Sequence, residues 1–413
     1  MVHVVADVAL QNDTIRMSSA NVEPLPNGWA TFVHGLSASS VKGNVALDSL
    51  GFGRWLVHAK GAGRVRLTYD VGVAHDSVHW SVSGAAAHGY LVDGTLFFVG
   101  RAMFITGAGT RDFGRRVHFV LPNGWSVATP YAAVVGARDT YEAKTLGELW
   151  ANGNLVGPIA TERMKLGKLD VLFAGGPSMK EPLRLYRSTF TKVIGEYVKL
   201  VGPAPAGQFV VISNMAPAMR DIGGESFENS IITMVAARPD STNRARWSYV
   251  LAHEAFHHWN PQAFPPAKQE EFEWFVEGFT DYMTRLVQMR TGITTEAQFQ
   301  QAMSDAYDTY AKAAGKLSLK EAGKDKGSNY NLIYFGGTTL AVALDAELKA
   351  RSGGKVGVPE LMQRLYADYA RTGESFSYDG FVKTVSALAG SDMAGFLGAR
   401  IMGTEAMPRP EVP

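Results

Sequence analysis

The chain has 413 residues, 46% hydrophobic and 19% charged, a balance typical of a globular protein with two or three packed domains. Forty basic and 39 acidic residues give a net charge of +1, which provides no global field to attract nucleic acid or an anionic membrane. Cysteine is absent, so disulfides, thiolate ligands and cysteine nucleophiles are excluded, and any metal must bind histidine or carboxylate. No apolar run approaches the length of a membrane span, so we predict no membrane insertion. From the near-zero net charge we predict no nucleic-acid partner.

The N-terminal part of the chain is predicted to be a β-rich domain. Short or alternating apolar runs, such as residues 65–69 and 94–100, are separated by turn residues. The pentapeptide Leu-Pro-Asn-Gly-Trp occurs at 25–29 and again at 121–125, and its Asn-Gly pair predicts a tight turn before a strand both times. The Gly-Gly-Pro sequence at 175–177 breaks the pattern and predicts the end of this domain.

Helical periodicity follows this break, with a helix predicted at 183–200 and strands predicted at 208–213 and 230–236. Further along, Gly353 predicts a helix end and Pro359 a helix start. The predicted ranges are 1–177 for the β-rich domain, 178–263 for an α+β subdomain, 264–405 for a helical subdomain and 406–413 for a tail. The predicted fold is thus multidomain, with an all-β N-terminal domain before an α+β domain whose C-terminal part is mainly helical.

The motif H-E-x-x-H places His253 and His257 four residues apart, so both imidazoles project from one face of a predicted helix. This is the geometry of a two-histidine half-site for zinc. Glu254 lies beside the pair, where it can hold a water bound to the metal and act as general base. Apart from His258, the other histidines all lie at or before His118. The alternative interpretation is an amphipathic helix with a solvated His-Glu face.

A hydrolytic zinc site needs a third protein ligand and an open position for water, and Glu277 is the candidate. Nineteen residues separate it from His257, and it lies on a predicted helix with apolar residues at helical spacing. A carboxylate on such a stripe is costly to bury unpaired, and metal ligation removes that cost. Asp281, one turn later, could accept the free N–H of a ligand histidine. We predict one zinc ion, although manganese or cobalt would suit the same donors.

Two blocks of sequence, HEAFHHWN at 253–260 and WFVEGFTDY at 274–282, resemble the glycyl aminopeptidase family of gluzincin zinc metallopeptidases. Residues 334–345 are similar to the family's tyrosine-containing helix, and residues 223–230 are similar to its substrate-binding strand. The resemblance implies a β N-terminal domain, a thermolysin-like catalytic domain and the removal of glycine or alanine from peptide N termini.

The resemblance also implies roles for residues outside the metal cluster. Glu228, followed by Asn229 in the substrate-binding strand, would bind the free α-amino group of the peptide. Tyr334 would donate its hydroxyl to the oxyanion of the tetrahedral intermediate, and Tyr330 is the competing candidate for this donor. With Glu254 as base, the resemblance therefore implies a zinc aminopeptidase acting on peptide substrates.

Two alternatives to the aminopeptidase remain open at this point. One is an endopeptidase on the same zinc site, in which Glu228 does not recognise an N terminus. The other is a non-catalytic peptide-binding protein that keeps the fold. The first residues lack the basic segment of a signal peptide, so we predict either a cytoplasmic protein or a mature exported chain. The sequence predicts no oligomeric state.

Overall fold

The structure is a computed structural model that describes residues 1–18, 25, 27–59, 61–73, 89–109, 114–204, 207–215 and 223–410. The chain forms two compact units. The first comprises Met1–Lys165, Asp170–Arg187 and Gly207–Pro239. The second comprises Leu166–Leu169, Ser188–Ala206 and Asp240–Pro413. Within the described part of the chain, no helix has both the length and the apolar character needed to cross a membrane.

The first unit is built almost entirely from strands. The first ten are β1 (Val2–Ala9), β2 (Thr14–Arg16), β3 (Val33–Ser40), β4 (Gly43–Val45), β5 (Leu47–Gly51), β6 (Arg54–Val57), β7 (Arg64–Val71), β8 (Tyr90–Val92), β9 (Thr95–Val99) and β10 (Thr106–Gly107). After them come β11 (Arg115–His118), β12 (Ser126–Ala128), β13 (Ala132–Ala133), β14 (Thr140–Ala143), the short helix α1 (Leu146–Trp150), β15 (Gly153–Gly157), β16 (Ala160–Leu166), β17 (Leu169–Gly175), β18 (Gly207–Met215), β19 (Gly223–Ser226) and β20 (Ser230–Val235).

These strands form five sheets, with the orders β1-β7-β3-β4, β10-β2-β6-β5, β11-β14-β13, β12-β15-β9-β8 and β16-β17-β18-β20-β19. Strand β7 shows why the sequence folds this way. Its side chains alternate, so that Val65, Leu67, Tyr69 and Val71 are buried on one face, while β1 and β3 pair antiparallel along its two edges. The all-β N-terminal region predicted from the sequence is confirmed.

Strands β9, β15 and β20 are buried along their whole length. Phe97, Leu155, Ile212 and Ile232 belong to one apolar cluster that joins the β9/β15 sheet to the β18/β20 sheet. Strands β16 and β17 precede residue 177, and β18 to β20 follow it, yet all five share one sheet. Contacts therefore cross the predicted boundary at 177, and the predicted domain ranges stay a prediction.

The second unit is helical. Its helices are the end of α2 (Pro182–Leu200), α3 (Arg244–Phe256), α4 (Thr280–Arg290), α5 (Glu296–Ala311), α6 (Leu319–Ala322), α7 (Gly337–Ser352), α8 (Val358–Tyr369), α9 (Tyr378–Ala389) and α10 (Ala394–Ile401). Two segments are π-helical, Trp274–Phe279 before α4 and Leu332–Gly336 before α7. The predicted helical C-terminal part is confirmed, and the fold is a β-rich region followed by a mainly helical one.

Local sequence sets the ends of these helices. Gly353 takes a left-handed conformation, with φ of 64°, and caps α7, as its position after the apolar pattern predicts. Pro359 lies in the first turn of α8, where its missing N–H costs nothing. Thr295 and Gln298 form a capping box at the start of α5. The end of α7 and the starts of α5 and α8 therefore lie where local sequence favours them.

Candidate metal centre and active site

Three predicted ligands meet inside the second unit. His253 lies near the end of α3, His257 follows the last residue of that helix with helical dihedrals, and Glu277 lies in the π-helical segment Trp274–Phe279. Nε2 of His253 lies 3.2 Å from Oε2 of Glu277, and Nε2 of His257 lies 3.6 Å from the same oxygen. The three donor atoms lie within 4.8 Å of one another, and all three residues are buried.

These distances fit a zinc ion. Zinc bonds of about 2.0–2.2 Å in a tetrahedral site place neighbouring donor atoms roughly 3.3–3.6 Å apart. The nitrogen-to-oxygen distances in the cluster are therefore close to those of a formed site. Two imidazole nitrogens and one carboxylate oxygen also match the three protein ligands of catalytic zinc sites, which keep the fourth position for water or substrate.

The orientation of His257 is fixed by a neighbouring carbonyl. Its Nδ1 lies 2.9 Å from the backbone oxygen of Asn260, which can only accept, so Nδ1 carries the proton and Nε2 faces the cluster. The side-chain amide of Asn260 donates to the carbonyl oxygen of Phe275 at 3.0 Å, two residues before Glu277. Asn260 thus connects both ligand segments, a role that the sequence patterns of metal ligands and catalytic bases do not indicate.

The electrostatics of the cluster favour bound positive charge. Burial raises the pKa of Glu277, but His257 and the hydrogen bond with His253 outweigh it and hold that pKa well below its usual range. Burial lowers the pKa of His257, but the Glu277 carboxylate more than compensates and raises it to about 9. Glu277 is therefore ionised. Because protons and metal ions compete for the same imidazole nitrogen, the cluster suits a cation.

Glu254 lies beside this cluster without belonging to it. Its side chain is buried, and burial raises the pKa of its carboxyl, with the negative charge of Glu277 adding to the shift. Among the residues that the structure describes, none hydrogen-bonds to this carboxylate. A carboxylate with a raised pKa takes up a proton more readily than an ordinary one, which is what a general base requires.

Both candidate tyrosines lie next to the metal ligands. The ring of Tyr334 stacks against His253, with centroids 6.1 Å apart and planes inclined by 19°. The ring of Tyr330 stacks on Tyr334 at 4.1 Å, and Tyr330 remains 48% exposed. Burial raises the pKa of Tyr334 above its usual value, and the Glu277 charge raises it further. The hydroxyl of Tyr334 therefore stays protonated and can act as a hydrogen-bond donor.

Asp281 was predicted to accept a hydrogen bond from a ligand histidine, but the described residues show other partners for its carboxylate. Its carboxylate accepts hydrogen bonds from the hydroxyl of Tyr249, from the hydroxyl of Thr338 at 3.0 Å and from the guanidinium of Arg285 at 3.2 Å. Nδ1 of His253 is buried and has no hydrogen-bond partner within the described ranges. Hydrogen-bond donors therefore occupy the Asp281 carboxylate. Two of them connect it to the site: the ring centroid of Tyr249 lies 5.9 Å from that of His253, and the hydroxyl of Thr338 also contacts the backbone oxygen of Tyr334 at 2.8 Å.

Glu228 and Asn229 lie in the first unit, in the turn between β19 and β20. The backbone N–H of Asn229 donates to Oδ1 of Asn152 at 2.8 Å, and the hydroxyl of Ser230 donates to the same oxygen at 3.2 Å. The N–H of Glu228 donates to the carbonyl of Ala151 at 3.2 Å. The backbone of this turn is therefore fixed by a buried asparagine, while the Glu228 side chain is exposed.

Two histidines and a glutamate around one point, with a buried carboxylate beside them, define the class of zinc metallopeptidases, and the protein is a peptidase. Residues 246–333 match the family described as M61 glycyl aminopeptidase, and residues 3–152 match the Peptidase M61 N-terminal domain. Together these matches span more than half of the chain. The chain belongs to the M61 glycyl aminopeptidase family, as the two sequence blocks predicted.

Solved structures share the fold at low sequence identity. An aminopeptidase N family protein from Idiomarina loihiensis is 18% identical, with a TM-score of 0.82 over 98% of this chain and 74% of that one. A mutant M1 zinc metallopeptidase from Deinococcus radiodurans, bound to a Tyr-Ser-Ala substrate, is 15% identical, with a TM-score of 0.62 over 100% and 92%. Native yeast LTA4 hydrolase is 14% identical, with a TM-score of 0.59 over 99% and 66%. No curated protein sequence matches the chain.

Proposed function

We propose that the protein is an aminopeptidase that removes glycine or alanine from the N termini of peptides, using one zinc ion held by His253, His257 and Glu277. The observation that carries this proposal is the buried three-ligand cluster with donor distances of 3.2 and 3.6 Å. Family membership supports the choice of an aminopeptidase and of small N-terminal residues. The separate position of Glu254, beside the cluster but outside it, supports its role as base.

When bound, zinc supplies a Lewis acid that polarises the substrate carbonyl and lowers the pKa of a water molecule. Glu254 takes a proton from this water as the water attacks the carbonyl carbon, and later passes the proton to the leaving amine. The hydroxyl of Tyr334 donates a hydrogen bond to the carbonyl oxygen as negative charge develops there. The raised pKa values of Glu254 and Tyr334 support both assignments, since one group must accept a proton and the other must keep its own.

An exopeptidase also needs an anion that binds the substrate ammonium, and we assign this role to Glu228 with Asn229 beside it. The turn that carries both residues is fixed through Asn152, so the Glu228 carboxylate projects from a defined backbone. The Deinococcus metallopeptidase has been crystallised with a peptide substrate, and a related two-domain M1 zinc metallopeptidase with L-tryptophan. Each of these ligands can present a free amino group, which supports recognition of a free N terminus by this family of folds.

We expect Glu228→Gln to lower kcat/KM for glycyl and alanyl substrates by about 10- to 100-fold, because the substitution removes one charge-assisted hydrogen bond to the substrate ammonium. The measurement compares kcat/KM for free substrates and for their N-acetylated forms. The parent enzyme should cleave only the free forms. Glu225→Gln is the matched control, because this residue lies in β19 of the same hairpin and pairs with Arg101.

Two outcomes would overturn this assignment. Cleavage of N-acetylated peptides as fast as free ones would indicate an endopeptidase on the same zinc site. Full zinc occupancy without cleavage of any peptide would indicate a peptide-binding protein instead. An equal loss of kcat/KM in Glu225→Gln and Glu228→Gln would show that the substrate responds to the overall negative charge of the hairpin and not to a specific contact with Glu228.

A further inference from the structure

Lys326 touches the metal-ligand carboxylate from the side opposite the histidines. Its Nζ pairs with Oε1 of Glu277, while Oε2 of that carboxylate faces His253 and His257. The same Nζ lies 3.0 Å from Oε2 of Glu273, one helical turn before Glu277. The two oxygens of Glu277 are thus divided, one directed at the ligand cluster and the other held by an ammonium group.

The charges around Lys326 explain why a lysine is placed there. Glu273 and Glu277 are both buried, and two like charges one turn apart repel each other strongly in a buried setting. Lys326 neutralises both, while its side chain stays 40% exposed and reaches solvent along its stem. Its Nζ also lies 5.9 Å from the centroid of the Tyr334 ring, so it borders the active-site tyrosine as well.

We propose that Lys326 is a positioning residue that orients the Glu277 carboxylate, so that Oε2 alone is presented to the zinc ion. A carboxylate held at one oxygen cannot rotate freely, and partners of this kind fix the direction of a metal ligand. The proposal rests on the zinc site of the proposed function. It does not rest on the substrate preference or on the assignment of Glu228.

The test is the zinc affinity of Lys326→Met, measured on the full chain by competition with a chelator of known affinity. We expect zinc to bind roughly 10- to 100-fold more weakly, the usual loss when the partner of a metal ligand is removed. Lys320→Met is the matched control. Lys320 pairs with Glu271 at 3.1 Å, in the same unit, without a described contact to Glu277, so its loss should leave zinc affinity unchanged.

Lys326→Arg separates a positioning role from general packing, because arginine keeps the charge and the donors. We expect the zinc affinity of Lys326→Arg to be close to that of the parent protein and clearly higher than that of Lys326→Met. The zinc-induced rise in Tm should be reduced in Lys326→Met and kept in Lys326→Arg, since at a fixed zinc concentration tighter binding stabilises the folded state more. Should Lys326→Met fail to fold, Lys326→Arg still tests the proposal, because weak zinc binding by a folded arginine variant would contradict it.

Three results would overturn the role of Lys326. The first is parent-like zinc affinity in Lys326→Met, and the second is an equal loss of affinity in Lys320→Met. The third is a folded Lys326→Arg variant whose zinc affinity is lower than that of the parent by roughly 10-fold or more, which is the loss expected for Lys326→Met. Zinc affinity is measured without substrate, so an inactive or differently specific enzyme would not alter these readouts.

Discussion

Glu254→Gln is expected to bind zinc as the parent protein does and to lose turnover, with kcat lower by about 10²- to 10⁴-fold. Zinc binding should persist because the ligand cluster is formed by His253, His257 and Glu277 without Glu254. Turnover should be lost because an amide cannot take the proton from the attacking water. Since the amide occupies nearly the same volume as the carboxyl group, substrate binding and KM should change little.

The measurement pairs zinc content with steady-state kinetics on a glycyl substrate. Glu270→Gln is the matched control, since this glutamate is exposed and lies in the same unit. It should keep both zinc and turnover. Near-normal activity in Glu254→Gln would remove this residue from the mechanism, and loss of zinc would show that it supports the metal instead.

Gly278→Ala should destabilise the protein by about 3 kcal/mol or more, because overpacking against backbone cannot be relieved by rotating a side chain. A Cβ at Gly278 would overlap the Cα and carbonyl carbon of Gly337 and lie 2.5 Å from the backbone nitrogen of Thr338. The segments that carry Glu277 and Tyr334 would have to move apart. Zinc affinity should therefore fall together with stability.

Denaturant unfolding of the metal-free protein measures this effect without the contribution of zinc. Gly195→Ala is the matched control, because no heavy atom lies within 4 Å of a Cβ at this position in α2. It should be stabilised by about 0.5–1 kcal/mol, the ordinary gain of alanine over glycine inside a helix. Parent-like stability in Gly278→Ala would contradict the close backbone contact between the two segments.

The features that the sequence predicted well are those encoded over short distances. His253 and His257 are one turn apart on a helix, and Glu277 follows in a block whose residue types are distinctive. The period-two pattern of β7 and the capping glycine Gly353 also act locally, so strand character and helix ends could be predicted from neighbouring residues alone.

The features that the sequence did not predict depend on contacts between distant residues. The apolar spacing around Glu277 predicted an ordinary helix, because a π-helical turn leaves hydrophobic residues at almost the same spacing. Asp281 was assigned to a ligand histidine, but Tyr249, Arg285 and Thr338 compete for its carboxylate. Lys326 lies 49 residues beyond Glu277, outside any recognisable motif.

The most direct test of the account is a zinc titration of the chelator-treated protein, followed by hydrolysis of a glycyl or alanyl substrate at each point. We expect activity to be absent without metal, to rise in proportion to added zinc and to reach a plateau at one ion per chain. His253→Ala should remain inactive at the same zinc concentrations. Full activity in the metal-free protein, or one bound zinc ion without any cleavage of the substrate, would contradict the proposed zinc-dependent hydrolysis.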